Sequence, residues 1–239
     1  MDTLVLQLYD GVMKRLIVAN WKMNGSIALI QEFQSIPQPA NVIVCPPACY
    51  LPLIKTFVIS PGAQNCSHLD KGAFTGEISA AQLKELGCKY VIVGHSERRN
   101  LFNETDSLIS QKASAAIQAG IIPIICVGET YEERNENRFK QVLLSQIDQV
   151  TYNLDIQKYI IAYEPIWSIG TGLIPTNEDI QEVLDIIRKR IGMSANIIYG
   201  GSVTDKNALS LAEIPNLNGV LVGGASLNIT TFQTIINAF

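Results

Sequence analysis

The 239-residue chain has no surplus of positive charge: 18 Lys and Arg stand against 22 Asp and Glu, for a net charge of -4. Without a basic face to neutralise a phosphate backbone, nucleic acid is not an expected partner. Cysteine is sparse. The five residues, Cys45, Cys49, Cys66, Cys88 and Cys126, are an odd number, form no C-x-x-C and lie mostly within or beside apolar runs. Free thiols in such positions behave as small core residues, which fits a reducing, cytoplasmic setting. No apolar stretch reaches the ~18 residues needed to span a bilayer, so no membrane partner is expected. The start "MDTLVLQLYDGVMKR" lacks a basic segment and a small-residue cleavage site, and the protein is expected to be unsecreted. There is no P-loop, no G-x-S-x-G elbow and no cluster with metal-ligand spacing. Nucleoside-triphosphate use, serine hydrolysis and metal-assisted hydrolysis therefore have no foothold, and neither cofactor nor metal is expected.

What is present is a regular march of short Val- and Ile-rich runs: "RLIVAN" (15–20), "NVIVCP" (41–46), "FVISPGAQ" (57–64), "YVIVGH" (90–95), "IIPIICVG" (121–128), "YIIAYEP" (159–165), "NIIYGG" (196–201) and "GVLVGG" (219–224). Runs so nearly free of polar residues read as strands buried on both faces of a parallel sheet. Between them lie stretches with helical spacing, such as "ETDSLISQKASAAIQAG", "NENRFKQVLLSQIDQVTYN" and "TNEDIQEVLDIIRKRIG". The last opens on Thr176 with Glu178 and Asp179 and closes on Gly192, a capped amphipathic helix. Strands joined by crossover helices are parallel, which leaves an open doubly wound sheet or a closed (β/α)8 barrel. The count of eight, and the lack of a G-x-G-x-x-G after the first strand, favour the barrel. No linker rich in Pro, Gly or Ser divides the chain, so one domain is expected over 13–239. Residues 1–12 fit no helix or strand template, and the expectation is that they are an extension, disordered or non-native, with Met13 as the natural start.

In such a barrel chemistry gathers where strands end. Those positions hold Asn20, Lys22, Gln64, Asn65, His95, Glu97, Cys126, Glu129, Glu164 and two Gly-Gly pairs. "YGGSV" and "VGGAS" expose backbone N–H groups with no Cβ to block approach, so they suit an anion such as phosphate. A single pair would more simply be a turn, but pairs after the seventh and eighth strands occupy the usual phosphate position of this architecture. A lone His near an apolar strand is commonly a satisfied core residue; at a strand end beside Lys22 and Glu164, His95 reads as a polariser or proton carrier. Lys22 reads as a fixed cation for an anionic substrate rather than a solvated surface charge. Glu164 ends an apolar strand and precedes the greasy, Gly-punctuated loop "PIWSIGTG". An exposed carboxylate is a weak base, so a flap of Ile166, Trp167 and Ile169, hinged near Pro165 and Gly172, is expected to close over it and exclude water.

Together "ANWKMNG", "GAFTGEIS", "YVIVGHSERR", "CVGET", "AYEPIWSIGTG", "YGGSV" and "GVLVGGASL" resemble the triosephosphate isomerase family, in order, from Arg15 to the C-terminus. The family is itself the standard illustration of a carboxylate base, a neutral histidine electrophile and a closing loop. The resemblance implies interconversion of dihydroxyacetone phosphate and glyceraldehyde 3-phosphate without cofactor or metal. It implies Glu164 as the proton-transferring base, His95 as the polariser of the carbonyl, Lys22 and Asn20 as substrate-binding groups, and Glu97 as the partner of Lys22. The backbone around Gly170, Ser202, Gly223 and Gly224 would hold the substrate's phosphate. The loop 64–79 would insert Thr75 beside a partner's first loop, making a homodimer. Departures from the family pattern are Leu173 for Lys at the rear of the lid, Ser168 for Ala at its tip, Asn218 for Asp before the last strand, an altered arm at 66–70, and a short first helical segment. They imply a changed lid rate and dimer strength, and none touches the proton-transfer groups. A catalytically silent phosphate-binding barrel is the alternative; it should have lost Lys22, His95 or Glu164, and all three are present. A different phospho-sugar isomerase is less compatible with "GHSERR" and the "IGTG" lid together.

Overall fold

The computed structural model describes residues 8–9, 12–13, 15–35, 41–54, 60–171 and 173–239. Eight parallel strands close on themselves: β1 (Leu16–Asn20), β2 (Val42–Cys45), β3 (Ser60–Ala63), β4 (Tyr90–Val93), β5 (Ile122–Val127), β6 (Ile160–Tyr163), β7 (Ile197–Tyr199) and β8 (Gly219–Val222). β8 pairs with β1 in the register Gly219↔Leu16 through Val222↔Ala19, which closes the barrel. Each expected run holds one strand, although residues 57–59 of the third run lie outside the described residues.

Closure explains why the runs are apolar throughout. Successive side chains of a strand point to opposite faces. In β1, Leu16 and Val18 face the barrel interior with Ile43, Cys45, Ile92, Ile124, Cys126, Ile160, Ala162, Ile198 and Leu221. Ile17, Ala19 and Trp21 face outward into the layer shared with the helices. Trp21 meets Phe33 edge-on at 5.0 Å between ring centroids, and Phe33 lies 5.6 Å from Phe232, so the first and last helices are tied to one strand.

The crossover helices include α1 (Ile27–Gln34), α2 (Leu51–Ile54), α3 (Ala80–Glu85), α4 (Ser96–Phe102), α5 (Asp106–Gln118), α6 (Tyr131–Asn135), α7 (Phe139–Val150), α8 (Asn177–Ile191), α9 (Ala208–Ala212) and α10 (Ile229–Ala238). α8 starts where the sequence signals it. Thr176 and Asp179 cap each other's backbone N–H groups, and Gly192 ends the helix at φ 114°. The stretch beginning at Asn135 becomes α7 only from Phe139, because Asn137 takes a left-handed φ of 57° and breaks the helix between α6 and α7.

Leu8–Tyr9 and Val12–Met13 form a separate two-stranded antiparallel ribbon that is no part of the barrel sheet. The remainder of the expected extension, residues 1–7 and 10–11, lies outside the described residues. Among the described residues no helix is long and apolar enough to cross a membrane.

Candidate active site

The alternation that fills the barrel also aims Glu164. Ile160 and Ala162 of β6 face inward, and Glu164 is the next residue of that parity, placed at the C-terminal rim. It is 1% exposed. One carboxylate oxygen, Oε2, accepts the Ser96 backbone N–H at 3.0 Å. The other, Oε1, lies 3.2 Å from His95 Nε2 but has no aligned hydrogen bond. Half of the carboxylate is thus anchored and half is left for chemistry. A Cβ at Gly200 would come within 2.9 Å of Glu164 Cγ, so glycine lets the end of β7 close up beside the acid. Cys126 lies on the same inner face. Burial first, and the Glu164 carboxylate second, push its thiol well up, so it stays S–H and is no nucleophile.

His95 reaches the rim by a break in alternation. Gly94, at φ 68°, turns the chain after β4 so that His95 becomes the N-cap of α4. Its Nδ1 accepts the Glu97 backbone N–H at 3.2 Å. An acceptor nitrogen carries a lone pair, so the imidazole is neutral with its proton on Nε2, the atom facing Glu164.

Lys22 has a left-handed φ of 53°, uncommon for a residue with a Cβ. Its backbone N–H donates to Asn20 Oδ1 at 3.0 Å and its carbonyl accepts Gln64 Nε2 at 2.8 Å. Gln64 Nε2 also reaches the Cys45 carbonyl at 2.8 Å, tying the ends of β1 and β2 to the loop after β3. The Lys22 ammonium lies 2.6 Å from Glu97 Oε1, and a Cβ at Gly223 would meet Lys22 Cε at 3.4 Å. Asn20, Lys22, His95, Glu97, Glu164 and Gly223 are therefore neighbours at one rim.

The other expected anion-binding positions lie on the loops that follow β6, β7 and β8. Gly170 has φ 71° and open space where a Cβ would be, as does Gly224 at the start of the turn Gly224–Leu227. The Ser202 carbonyl accepts Asn207 Nδ2 at 2.8 Å. A cavity of about 510 Å3 is lined by Asn20, Lys22, Gln64, His95, Glu97 and, farther out, Met23, Ile78, Leu101 and Phe102. A larger, shallower groove of about 710 Å3 between α5 and α7 is lined mainly by Ser and Gln side chains. It lies away from Glu164 and His95, and its Asp148 is already paired with Arg190 at 2.5 Å.

Three contributors were not assigned roles from the sequence. Ser96 supplies the N–H that parks Glu164. Gln64 staples the Lys22 turn. Glu129, fully buried, accepts the Tyr163 hydroxyl at 3.0 Å and the Trp167 indole N–H at 2.9 Å, with Arg134 Nη1 3.9 Å away. Burial raises its pKa, partly offset by those hydrogen bonds. A carboxylate at the end of β5 was the available signal; the indole and phenol that it grips come from β6 and its loop, so only closure of the barrel shows its use. Under the loop 64–79, Lys112 Nζ sits 2.5 Å from Glu104 Oε1 and 2.9 Å from Asn65 Oδ1, with Arg98 Nε also 2.5 Å from Glu104. This buried network had a signal only in Lys112, a charge in the apolar stripe of α5.

A family profile described as triosephosphate isomerase matches residues 15–239. The triosephosphate isomerase of Nitrosococcus oceani is 46% identical over 244 residues, covering 93% of this chain and 98% of that protein. That of Herminiimonas arsenicoxydans is 44% identical, covering 94% and 99%. The crystal structure of triosephosphate isomerase from Bartonella henselae superposes with a TM-score of 0.85 at 38% identity, covering 94% of this chain and 98% of that one.

Proposed function

Because the chain belongs to the triosephosphate isomerase family, we propose that its rim site interconverts dihydroxyacetone phosphate and D-glyceraldehyde 3-phosphate with Glu164 as the base. The observation that carries this assignment is the 3.2 Å approach of His95 Nε2 to Glu164 Oε1, with Nδ1 of the same ring occupied as an acceptor. Glu164 removes a proton from the carbon beside the substrate carbonyl, and the electron pair moves to the carbonyl oxygen, giving an enediolate. The Nε2–H of His95 donates to that oxygen as charge develops, and the Lys22 ammonium offsets it. Through His95 Nε2 the proton of the adjacent hydroxyl passes to the former carbonyl oxygen, and Glu164 returns its proton to the former carbonyl carbon, so that the old hydroxyl becomes the new carbonyl. Carbon and oxygen connectivity is unchanged, so no external oxidant or reductant enters.

The first move is made by Glu164 itself: Oε2 must leave the Ser96 N–H, because a base satisfied by a hydrogen bond is a weaker base. Asn20 orients substrate, and Glu97 holds the Lys22 ammonium in place. The backbone at Gly170, Ser202, Gly223 and Gly224 grips the phosphate, whose remote binding energy helps to close the lid. A catalytically silent barrel gains no support, since Lys22, His95 and Glu164 are all present.

The exposed apolar side chains Met23, Leu101 and Phe102 around the 510 Å3 cavity, and Phe74 on the arm, support a homodimer in which the loop 64–79 of a second copy enters that cavity. A cytoplasmic location fits five unpaired thiols. The reading of residues 1–12 as an extension is supported by a family match that begins at residue 15.

Assay of the purified protein with glyceraldehyde 3-phosphate and a coupled dehydrogenase should show turnover, and in deuterium oxide the product should carry solvent deuterium on carbon. A folded protein without turnover would remove the assignment, and a product wholly free of deuterium would replace proton transfer with hydride transfer.

A further inference from the structure

β5 outruns one of its neighbours. β4 ends at Val93, opposite Ile125, and Gly94 then turns the chain away into α4. On the other side of β5 the pairing runs on past the strands: the Glu164 N–H donates to the Val127 carbonyl at 2.8 Å and the Ile166 N–H to the Glu129 carbonyl at 3.0 Å. Backbone groups alternate sides along a strand, so Cys126 and Gly128 turn theirs to the side that β4 has left. That is the parity of Ile122, whose N–H donates to the Lys89 carbonyl at 2.9 Å. Backbone groups left there without partners cost free energy, and two side chains replace the departed strand. Arg99 Nη2 donates to the Cys126 carbonyl at 2.9 Å. Gln146, half-buried on α7, serves Gly128 at both ends: its Oε1 accepts the Gly128 N–H at 2.9 Å and its Nε2 donates to the Gly128 carbonyl at 3.0 Å. One side-chain amide thus stands in for the missing peptide of β4. Gly128 in turn bears on Glu164, since a Cβ on it would lie 1.7 Å from the Glu164 carbonyl oxygen.

We propose that Gln146 is a positioning residue for proton transfer: by holding both backbone groups of Gly128 it fixes the height at which β6 delivers the Glu164 carboxylate to the substrate carbon. This rests on the reading above that Glu164 is the base. The Val127 carbonyl and the Gly128 N–H belong to one planar, rigid peptide unit. Gln146 Oε1 grips one end of that plate and the Glu164 N–H grips the other. A plate released by Gln146 is free to tilt toward water, and the backbone of the base, hydrogen-bonded to its far end and packed against Gly128, moves with it. Gln146 acts from α7, behind the sheet, and its effect on the reaction passes through Gly128 alone. Glu129, by contrast, grips Trp167 and the Ile166 N–H, so a disturbance routed through it would be felt in the lid and in substrate binding.

The test is steady-state kinetics on the full chain. Gln146→Met keeps nearly the length of glutamine but has neither the amide donor nor its oxygen. It should lower kcat on the order of 10-fold, as expected for a base displaced by a fraction of the ~1 Å that costs about 10²-fold. KM should stay within about twofold of the parent, because placement of a base matters in the transition state. Gln146→Glu retains an acceptor for the Gly128 N–H but, ionised, sets its second oxygen against the Gly128 carbonyl; protonated, it again offers one donor and one acceptor. The ratio of its kcat to that of the parent should therefore rise as pH falls toward the Glu range at about 4.3, a rescue that packing alone does not give. In a Glu164→Asp background, where the base is already withdrawn, Gln146→Met should cost no more than about twofold. A parental kcat in Gln146→Met, a loss carried by KM, or a loss that multiplies in full with that of Glu164→Asp overturns the role. Where Gln146→Met does not fold, a pH-independent ratio for Gln146→Glu overturns it. A parent protein without turnover overturns the underlying assignment instead, and the positioning role with it.

Discussion

Glu164 shows how much rests on one methylene. Its Oε1 is unpartnered and 3.2 Å from His95, while Oε2 is pinned by Ser96. Glu164→Asp withdraws the carboxylate by about 1 Å, and a displacement of that size costs on the order of 10²-fold in rate. Steady-state kinetics should show the loss in kcat with KM little changed, because the position of a base matters in the transition state. Asn218 offers a test at a residue remote from chemistry. The Arg188 guanidinium is 4% exposed, donates to Asn218 Oδ1 at 2.9 Å and to the Asn216 carbonyl, and leaves Nη1 without a partner. Burial accordingly pulls its pKa down. Asn218→Asp supplies the missing negative charge while keeping the oxygen that also takes the Ile197 N–H at 2.9 Å. A gain of about 1–2 kcal/mol is expected from a hydrogen bond to a charged group, read as a higher urea midpoint at pH 7. The new carboxylate would have a depressed folded pKa, so the gain is present above the ordinary Asp range near 3.9 and is lost as pH falls through the folded value.

At the scale of elements, the lid is more firmly held at its front than a greasy loop suggests. Glu129 accepts the Trp167 indole through Oε1, and its backbone carbonyl accepts the Ile166 N–H at 3.0 Å. Its folded pKa is raised by burial, so its contribution to stability is present below the ordinary Glu range near 4.3 and is lost as pH rises through the folded value. Glu129→Gln keeps an acceptor for the indole and the phenol but cannot ionise. Its thermal midpoint should therefore rise relative to the parent as pH goes from 4 to 7; a constant difference between the two proteins would show that Glu129 pays no desolvation cost. α8 supplies a second test. Thr176→Ala removes one half of its capping box and should cost about 1 kcal/mol, a fall of roughly 2–4 °C in Tm for a chain of this size. The helix was legible because both of its ends are marked by local chemistry, whereas the turn of Lys22 into the left-handed region was not, since Gln64 holds its carbonyl from the end of β3, two strands away.

The whole molecule sets what no element can. The loop 64–79 closes at its base through the Ser67 N–H to Ile78 carbonyl bond at 2.8 Å and carries an exposed Phe74 outward. Beside it a cavity runs from His95 to Ile78 and Leu83. If a second copy fills that cavity, sedimentation at micromolar concentration should give the dimer mass, and Phe74→Asp should shift it toward monomer with at least a tenfold fall in kcat. The fall would follow because the partner's arm packs against the turn that carries Lys22. A monomeric parent with full activity would remove the dimer from the account.

The sequence alone determined the eight runs, the capped helices and the polar residues waiting at strand ends, because periodicity, caps and glycine pairs are local and each is written within a few neighbours. The tertiary structure decided which of those residues meet. Glu164 and His95 are 69 positions apart in the chain and 3.2 Å apart in space because a parallel sheet that closes must bring the ends of β4 and β6 to the same rim. The parking of Glu164 on Ser96 and the grip of Glu129 on the lid depend on contacts across that ring. No stretch of sequence carries both halves of such a contact, so their physics appears only when the barrel is shut.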